Sequence, residues 1–191
     1  MHLLNRFCQS ALLFGGTLLF CLTLSARADE LQDINKLFKQ GQHEQALQGV
    51  NAYLDGKPGD VQARFLKGLI LTGQGKTGDA IRIFSELTED HPELPEPYNN
   101  LAVLYAGQGQ YDKARVALEM AIRAHPDYAT AHENLGDIYA KMAGQAYERT
   151  LQLDRGNAGA QAKLALIKDV LGANSARSGK TPDAAQHPSS P

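Results

Sequence analysis

Three glycine-containing segments recur along the chain at a fixed distance. They read KQGQHEQA at 39–46, TGQGKTGDA at 72–80 and GQGQYDKA at 107–114. The central glycines, Gly41, Gly75 and Gly109, are each 34 residues apart, and so are the glutamine before and the alanine after each glycine. A constant period of this size is typical of a repeat array, in which every copy forms one small structural unit.

Helical patterning flanks each glycine turn. Apolar residues in 61–94 and 95–128 recur at spacings of three and four, which places them on one face of a helix. Each copy is therefore predicted to be two helices joined by a turn, because glycine can end the first helix in a conformation that it reaches without steric strain. Proline cannot continue a helix, so the second helices are predicted to stop at Pro58, Pro92 and Pro126.

The first 28 residues have the features of a secretory signal peptide. Arg6 provides positive charge, an apolar run follows at 11–24, and small residues stand at Ala26 and Ala28 before an acidic pair. We predict cleavage after Ala28. An uncleaved membrane anchor is the alternative, although the apolar run is shorter than the roughly 20 residues of a typical span.

Removal of residues 1–28 changes the composition of the chain. Both cysteines and two of the 19 basic residues leave with this segment, so 17 basic residues remain against 21 acidic ones and the formal net charge becomes −4. An acidic chain without a basic stripe argues against nucleic-acid binding. A mature chain without cysteine, and the lack of an N-x-S/T sequon, favour the bacterial periplasm over a eukaryotic secretory route.

Residues 173–191 are predicted to be a disordered tail. They are small, polar and proline-containing, with alanine as their one apolar type, and cannot offset the entropy lost on ordering. The predicted folded body is therefore 29–172, which is long enough for one domain.

The pattern resembles the tetratricopeptide repeat family over most of the mature chain. The units share a small residue at the eighth place (Gly68, Ala102, Gly136), leucine or tyrosine at the eleventh (Leu71, Tyr105, Tyr139), alanine at the twentieth and proline near the end. The resemblance implies an all-α fold in which helical hairpins stack into a right-handed superhelix. The tryptophan that the family favours is missing, and its place is held by Arg64, Tyr98 and His132.

The repeat pattern predicts three regular units and an irregular end. The regular units are predicted at 29–60, 61–94 and 95–128, followed by a shortened fourth at 129–157 and a capping helix at 158–172. The fourth unit lacks five residues of the turn, yet its apolar residues keep helical phase through the junction. We predict one long helix over about 129–154, with a very tight hairpin as the alternative. Asn157 is predicted to cap the final helix, which ends near Leu171 and Gly172.

No catalytic or metal-binding constellation is predicted. The mature chain has no cysteine nucleophile, and neither a phosphate-binding glycine loop nor a Gly-x-Ser-x-Gly elbow occurs. His91 and His125 precede the terminal prolines of two repeats, so their recurrence indicates a shared turn. His132 could join Glu133 or Asp137 as a metal ligand, but a packing histidine is the simpler interpretation. We expect no enzyme activity, metal or cofactor.

The family resemblance implies a concave groove, lined by the first helix of each unit, that holds peptides or partner helices. The implied partner-binding residues are Phe38, Phe65, Leu69, Glu96, Asn99, Val103, Glu133 and Asp137. Packing between repeats is a nearly equal alternative for the three apolar residues Phe38, Phe65 and Leu69. With a long fourth helix, Glu96, Glu133 and Asp137 would form the far end of the groove and favour a basic residue in a short ligand.

Two functions fit this combination of features. The first is a non-enzymatic scaffold of the bacterial cell envelope that binds a peptide or helix of an envelope or secretion-machinery protein. The alternative is a periplasmic assembly chaperone or pilotin-like factor that holds client subunits transiently, and a permanent structural subunit is a third possibility. We expect no nucleic-acid partner, and no membrane insertion once the signal peptide is removed.

Overall fold

The computed structural model describes residues 30–178, and all regular structure in this range is helical. The helices are α1 over 30–39, α2 His43–Gly56, α3 Val61–Gly73, α4 Thr77–Asp90, α5 Pro95–Gly107, α6 Tyr111–Ala124, α7 Ala129–Leu153 and α8 Ala158–Ser178. This order confirms the prediction of an all-α repeat fold. The predicted signal peptide at 1–28, and the part of the predicted tail after Ser178, lie outside the described residues.

The three recurrent glycines form the same turn at the end of α1, α3 and α5. Gly41, Gly75 and Gly109 have φ angles of 76°, 71° and 72°. At each turn the glycine N–H donates to the carbonyl three residues back, and the next N–H donates to the carbonyl five residues back, at 2.9–3.0 Å. This pair of hydrogen bonds is the Schellman motif, which satisfies carbonyl groups that the end of a helix would otherwise leave without a donor.

The second helix of each regular repeat ends at an equivalent position. Helices α2, α4 and α6 end at Gly56, Asp90 and Ala124, each two residues before the proline of its repeat. The prediction that the prolines stop these helices is confirmed, since the residue before a proline is disfavoured in the helical conformation.

Contacts divide the chain into two compact units, and the boundary falls within α4, between Ala80 and Ile81. In the first unit α2 packs against α3. Its core contains Ile34 of α1, three residues of α2 and three of α3: Ala46, Val50, Tyr53, Ala63, Leu66 and Ile70. Asp60 joins two of these helices, because one carboxylate oxygen accepts from the Ala63 N–H at 2.9 Å and the other from the Tyr53 hydroxyl at 3.1 Å.

In the second unit, α5 packs against α6, α6 against α7, and α7 against α8. The helix over the fourth repeat is continuous from Ala129 to Leu153, so the long-helix prediction is confirmed and the tight-hairpin alternative is wrong. Gly144 is buried near its middle, and a Cβ there would lie 3.6 Å from Ile167 Cγ2 of α8. This is an ordinary van der Waals distance, so an alanine at this position would fit against α8.

The last helix is longer than predicted. Asn157 Oδ1 accepts from the Ala160 N–H at 2.9 Å, which confirms the predicted cap. The prediction that the helix ends near Gly172, with a disordered tail from 173, was wrong, because α8 continues to Ser178. Among residues 30–178, only the three turn glycines have positive φ, so Gly172 does not form a cap. The six residues after it contain no proline, and two of them are alanine, the best helix former.

The turn geometry predicts that alanine at Gly109 destabilises the protein by about 1–2 kcal/mol, the strain of a side chain in a left-handed conformation. The space around Gly109 is open, so no clash contributes. Gly107→Ala is the matched control, because Gly107 also faces open space but lies in α5 without positive φ. Urea unfolding followed by circular dichroism should show a lower midpoint for G109A and no decrease for G107A. Equal midpoints for the two variants would contradict the turn assignment.

Candidate functional site

The eight predicted groove residues divide between the two compact units. Phe38, Phe65 and Leu69 lie in the first unit, and all three are half-buried. Phe38 packs against the core, and its ring centroid lies 5.4 Å from that of His43. Phe65 and Leu69 are one turn apart on α3 and share a face of that helix. Phe38 is thus engaged in packing within its unit, and a groove role for the three residues stays a prediction.

The other five residues lie on α5 and α7 of the second unit. Glu96, Asn99 and Val103 are three and four residues apart on α5 and therefore share one face of that helix. Asn99 is only 8% exposed, whereas Val103 is 51% exposed. The face thus combines a buried amide with an accessible apolar side chain one turn away.

A hydrogen bond connects this face to α7. Asn134 Nδ2 donates to Asn99 Oδ1 at 2.7 Å. Asp137 is half-buried and lies three residues after Asn134, on the same side of α7. We call the surface formed by Glu96, Asn99, Val103, Asn134 and Asp137 the α5–α7 face.

Asn134 was not among the predicted site residues. Its neighbour Glu133 was predicted instead, and Glu133 is exposed. The available signal was that Asn134 aligns with Asn100 in the previous repeat. The two asparagines behave differently, however, because Asn100 Nδ2 donates to the Glu96 carbonyl of its own helix at 2.9 Å.

Tyr128, another residue that the sequence did not indicate, lies close to the acidic part of the α5–α7 face. Tyr128 is half-buried at the residue before α7. Burial raises the pKa of its hydroxyl above the usual 10.0, and the negative charge of Glu96 raises it further, against a smaller lowering by a hydrogen bond with Thr130. The Glu96 carboxylate is therefore near enough to Tyr128 to affect its ionisation.

The predicted acidic end of the groove also includes a cation. Lys141 lies one turn after Asp137, where a lysine and an acidic side chain are neighbours on a helix surface. Its Nζ is 6.0 Å from the centroid of the Tyr111 ring. The α7 part of the site thus carries both signs of charge, and a three-carboxylate end stays a prediction.

The histidines considered in the sequence have local partners. His132 Nε2 lies 2.8 Å from the Pro126 carbonyl oxygen, and His91 Nδ1 lies 3.5 Å from a Glu93 carboxylate oxygen. Within residues 30–178, no three His, Cys, Asp or Glu side chains are grouped as metal ligands. Over the same range, no helix has both the length and the apolar character that spanning a membrane requires.

Comparison with known proteins identifies the family. Models of the tetratricopeptide repeat match residues 34–95 and 71–135, and the chain belongs to the tetratricopeptide repeat family. The chloroplastic tetratricopeptide repeat domain-containing protein PYG7 of Arabidopsis thaliana is 36% identical over 85 residues, which are 42% of this chain. Those residues span 28% of the length of that relative.

Solved structures with low sequence identity share the fold. TTC0263 of Thermus thermophilus superposes with a TM-score of 0.57 at 21% identity, over 83% of this chain and 94% of that one. The type III secretion translocator chaperone SycD of Yersinia enterocolitica has a TM-score of 0.57 at 15% identity, over 61% and 93% of the two chains. At these identities the similarity shows the fold alone.

The position of Glu96 predicts that Glu96→Gln lowers the pKa of Tyr128. The pKa should stay above 10.0, because burial is the larger cause of its increase. The ultraviolet titration curve of the Tyr128→Phe variant is subtracted from that of the chain with Tyr128 present. The difference reports the Tyr128 hydroxyl without the other six tyrosines. Glu93→Gln is the control, because Glu93 is exposed and is not among the causes of the shift. An unchanged titration in E96Q would contradict the proximity.

The raised pKa of Tyr128 also makes the stability of the protein depend on pH. Because the pKa of Tyr128 is higher in the folded state, the unfolded chain releases this proton first. The contribution of this hydroxyl to the free energy of unfolding is therefore fully present below pH 10 and is lost as the pH rises above it. Tyr128→Phe removes this part of the alkaline decrease.

Proposed function

We propose that this chain is a non-enzymatic scaffold of the bacterial cell envelope that binds a peptide segment or a helix of an envelope protein. Tetratricopeptide repeats generally act in protein–protein interaction and not in catalysis. The α5–α7 face supports binding of a protein segment, because it offers polar groups for a peptide backbone beside an apolar side chain.

The amide pair Asn99–Asn134 is the observation that carries the proposal. Each amide has a carbonyl acceptor and an NH₂ donor. Their mutual bond uses Asn99 Oδ1 and Asn134 Nδ2, which leaves Asn99 Nδ2 as a donor and Asn134 Oδ1 as an acceptor for further bonds. A peptide backbone presents the complementary carbonyl and N–H groups. Val103, one turn from Asn99, provides apolar contact for a ligand side chain.

Charge adds a preference for basic ligands. Glu96 and Asp137 place carboxylates at the α5–α7 face, whereas Lys141 lies one turn beyond Asp137. An exposed ion pair contributes about 0.2–1 kcal/mol, and salt screens it within a Debye length of about 10 Å at 0.1 M. Binding of a basic segment would therefore weaken as ionic strength increases, while the amide and apolar contacts would persist.

An assembly chaperone is the alternative function. SycD is a chaperone with this fold, so the fold does not separate a chaperone from a scaffold. A deletion strain separates them, because loss of a chaperone depletes its clients, whereas loss of a scaffold leaves them present but misplaced.

If the α5–α7 face binds the partner, Val103→Asp should reduce capture of an envelope protein by the purified chain. A carboxylate at Val103 would remove the apolar contact and, in the bound state, bury an unpaired charge. Val116→Asp on α6 is the matched control, because Val116 is 49% exposed and lies outside this face. The V116D variant should capture as the native chain does.

Equal capture by V103D and the native chain would show that the α5–α7 face does not bind the partner. Phe65→Ala and Leu69→Ala examine the first unit in the same assay. Unchanged capture by both of these variants would exclude the predicted apolar part of the groove.

The export signal predicts that the mature protein begins at Asp29 and is found in the periplasmic fraction. Intact-mass measurement of the protein from fractionated cells checks both points. The matched pair is Ala28→Leu, which should block cleavage because the site needs a small residue, and Asp29→Asn, which should not. A native protein that keeps residues 1–28 would support the anchor alternative instead.

A further inference from the structure

The turn that the fourth repeat lacks leaves part of α7 incompletely buried. By repeat position, Ala143, Tyr147 and Thr150 correspond to Ala114, Leu118 and Ala121 of α6. The three α6 residues are fully buried, whereas their α7 counterparts are half-buried. The second half of α7 cannot fold back on the first half, because the two halves form one continuous helix.

The exposed side of α7 has the spacing of a coiled-coil contact. Its residues alternate at intervals of three and four: Gly136, Tyr139, Ala143, Ala146, Thr150 and Leu153. We call this row the α7 seam. Tyr139 is 50% exposed and Leu153 is 75% exposed, and Gly136 and Ala146 are exposed as well. A repeat of 3.5 residues keeps one side of a helix facing a partner helix over its whole length.

Other residues of α7 pack against neighbouring helices of the second unit. Gly144 is buried next to Leu164 and Ile167 of α8. Asn134 bonds to Asn99 of α5, and Ile138 is buried. The α7 seam carries the two large apolar side chains of α7 that are exposed, Tyr139 and Leu153. The exposed residues outside the seam, such as Gln145, Glu148 and Arg149, are polar.

We propose that two copies of this chain associate through their α7 seams in an antiparallel pair centred near Lys141. In this register Tyr139 lies opposite Ala143 of the second copy, and Gly136 lies opposite Ala146 of the second copy. A large ring thus meets a small side chain, which allows close helix packing. The register also places a first-helix position of the repeat against a second-helix position, the combination that one continuous α7 cannot make by itself.

The helix dipoles favour the antiparallel orientation, because each helix end then lies beside an end of opposite sign. The charged side chains of α7 do not decide the orientation, since Asp137, Lys141 and Glu148 lie on the side of the helix opposite the seam.

Sedimentation equilibrium of the full chain over a range of concentrations tests the association. The native chain should show twice the monomer mass, and Ala146→Glu should raise the dissociation constant by about tenfold or more, because the pair would bury an unpaired carboxylate. Gln145→Glu is the matched control: it adds the same charge at the adjacent exposed residue, outside the seam, and should remain dimeric. Circular dichroism of both variants should be that of the native chain, which separates lost association from lost folding.

The orientation is tested by a distance between two spin labels. The labels are attached at Gln152→Cys in a full chain whose two cysteines, Cys8 and Cys21, are replaced by serine. Gln152 is 11 residues from the centre at Lys141, so an antiparallel pair separates the labels by about 33 Å at 1.5 Å per residue. A parallel pair would bring them within about 20 Å, since packed helices lie 8–10 Å apart.

A native chain that stays monomeric at all concentrations would overturn the proposal, because a second copy would then not bind the seam. An A146E variant that dimerises like the native chain would move the interface elsewhere. A short label distance would replace the antiparallel pair with a parallel one.

Discussion

The left-handed glycine that ends the first helix of each regular repeat is the constraint on which the rest of the structure depends. At a φ of about 70° the backbone can close two hydrogen bonds onto the preceding helix and turn at once into the next one. Open space surrounds Gly41, Gly75 and Gly109, so the requirement for glycine comes from backbone conformation and not from crowding. Each apolar stripe faces its hairpin partner only because the chain turns at this residue, and a one-residue shift would rotate the second helix by about 100°.

The fourth repeat shows what the same apolar pattern does without this turn. Its stripes stay in helical phase, and no left-handed glycine interrupts them, so the chain continues as the single helix α7. Gly144 differs from the turn glycines, because it is helical and a Cβ there would meet α8 at an ordinary van der Waals distance. Helix α8 then packs along α7 in place of a fifth repeat, and the regular alternation of hairpins ends there.

The sequence predicted the features that are local and periodic, and it did not predict those that depend on tertiary packing. The glycine turns, the proline stops, the cap at Asn157 and the continuity of α7 follow from residue chemistry at fixed spacing. The end of α8 did not follow, because Gly172 resembles a cap but has no left-handed conformation to stabilise. The Asn99–Asn134 bond joins residues 35 apart, one more than the repeat period, and that offset is set by how α5 meets α7. The environment of Tyr128 likewise comes from burial, which the repeat pattern does not encode.

Helix α7 occupies the positions of both helices of a repeat hairpin. It therefore carries two separate surfaces, the α5–α7 face and the α7 seam, on different sides. Asn134 and Tyr139 are five residues apart, so the α5–α7 face and the α7 seam point about 140° apart on the helix. A ligand on the first surface therefore would not compete with a second copy on the other. In the proposed pair, two α5–α7 faces belong to one particle, and a partner that carries two copies of its binding segment would engage both. The second contact would then be intramolecular, and the overall affinity could exceed that of one face by a factor of about 10²–10⁴ without any new contact. Weak, salt-sensitive contacts on each face would in that case be compatible with stable attachment to a multivalent assembly, which is what a scaffold requires.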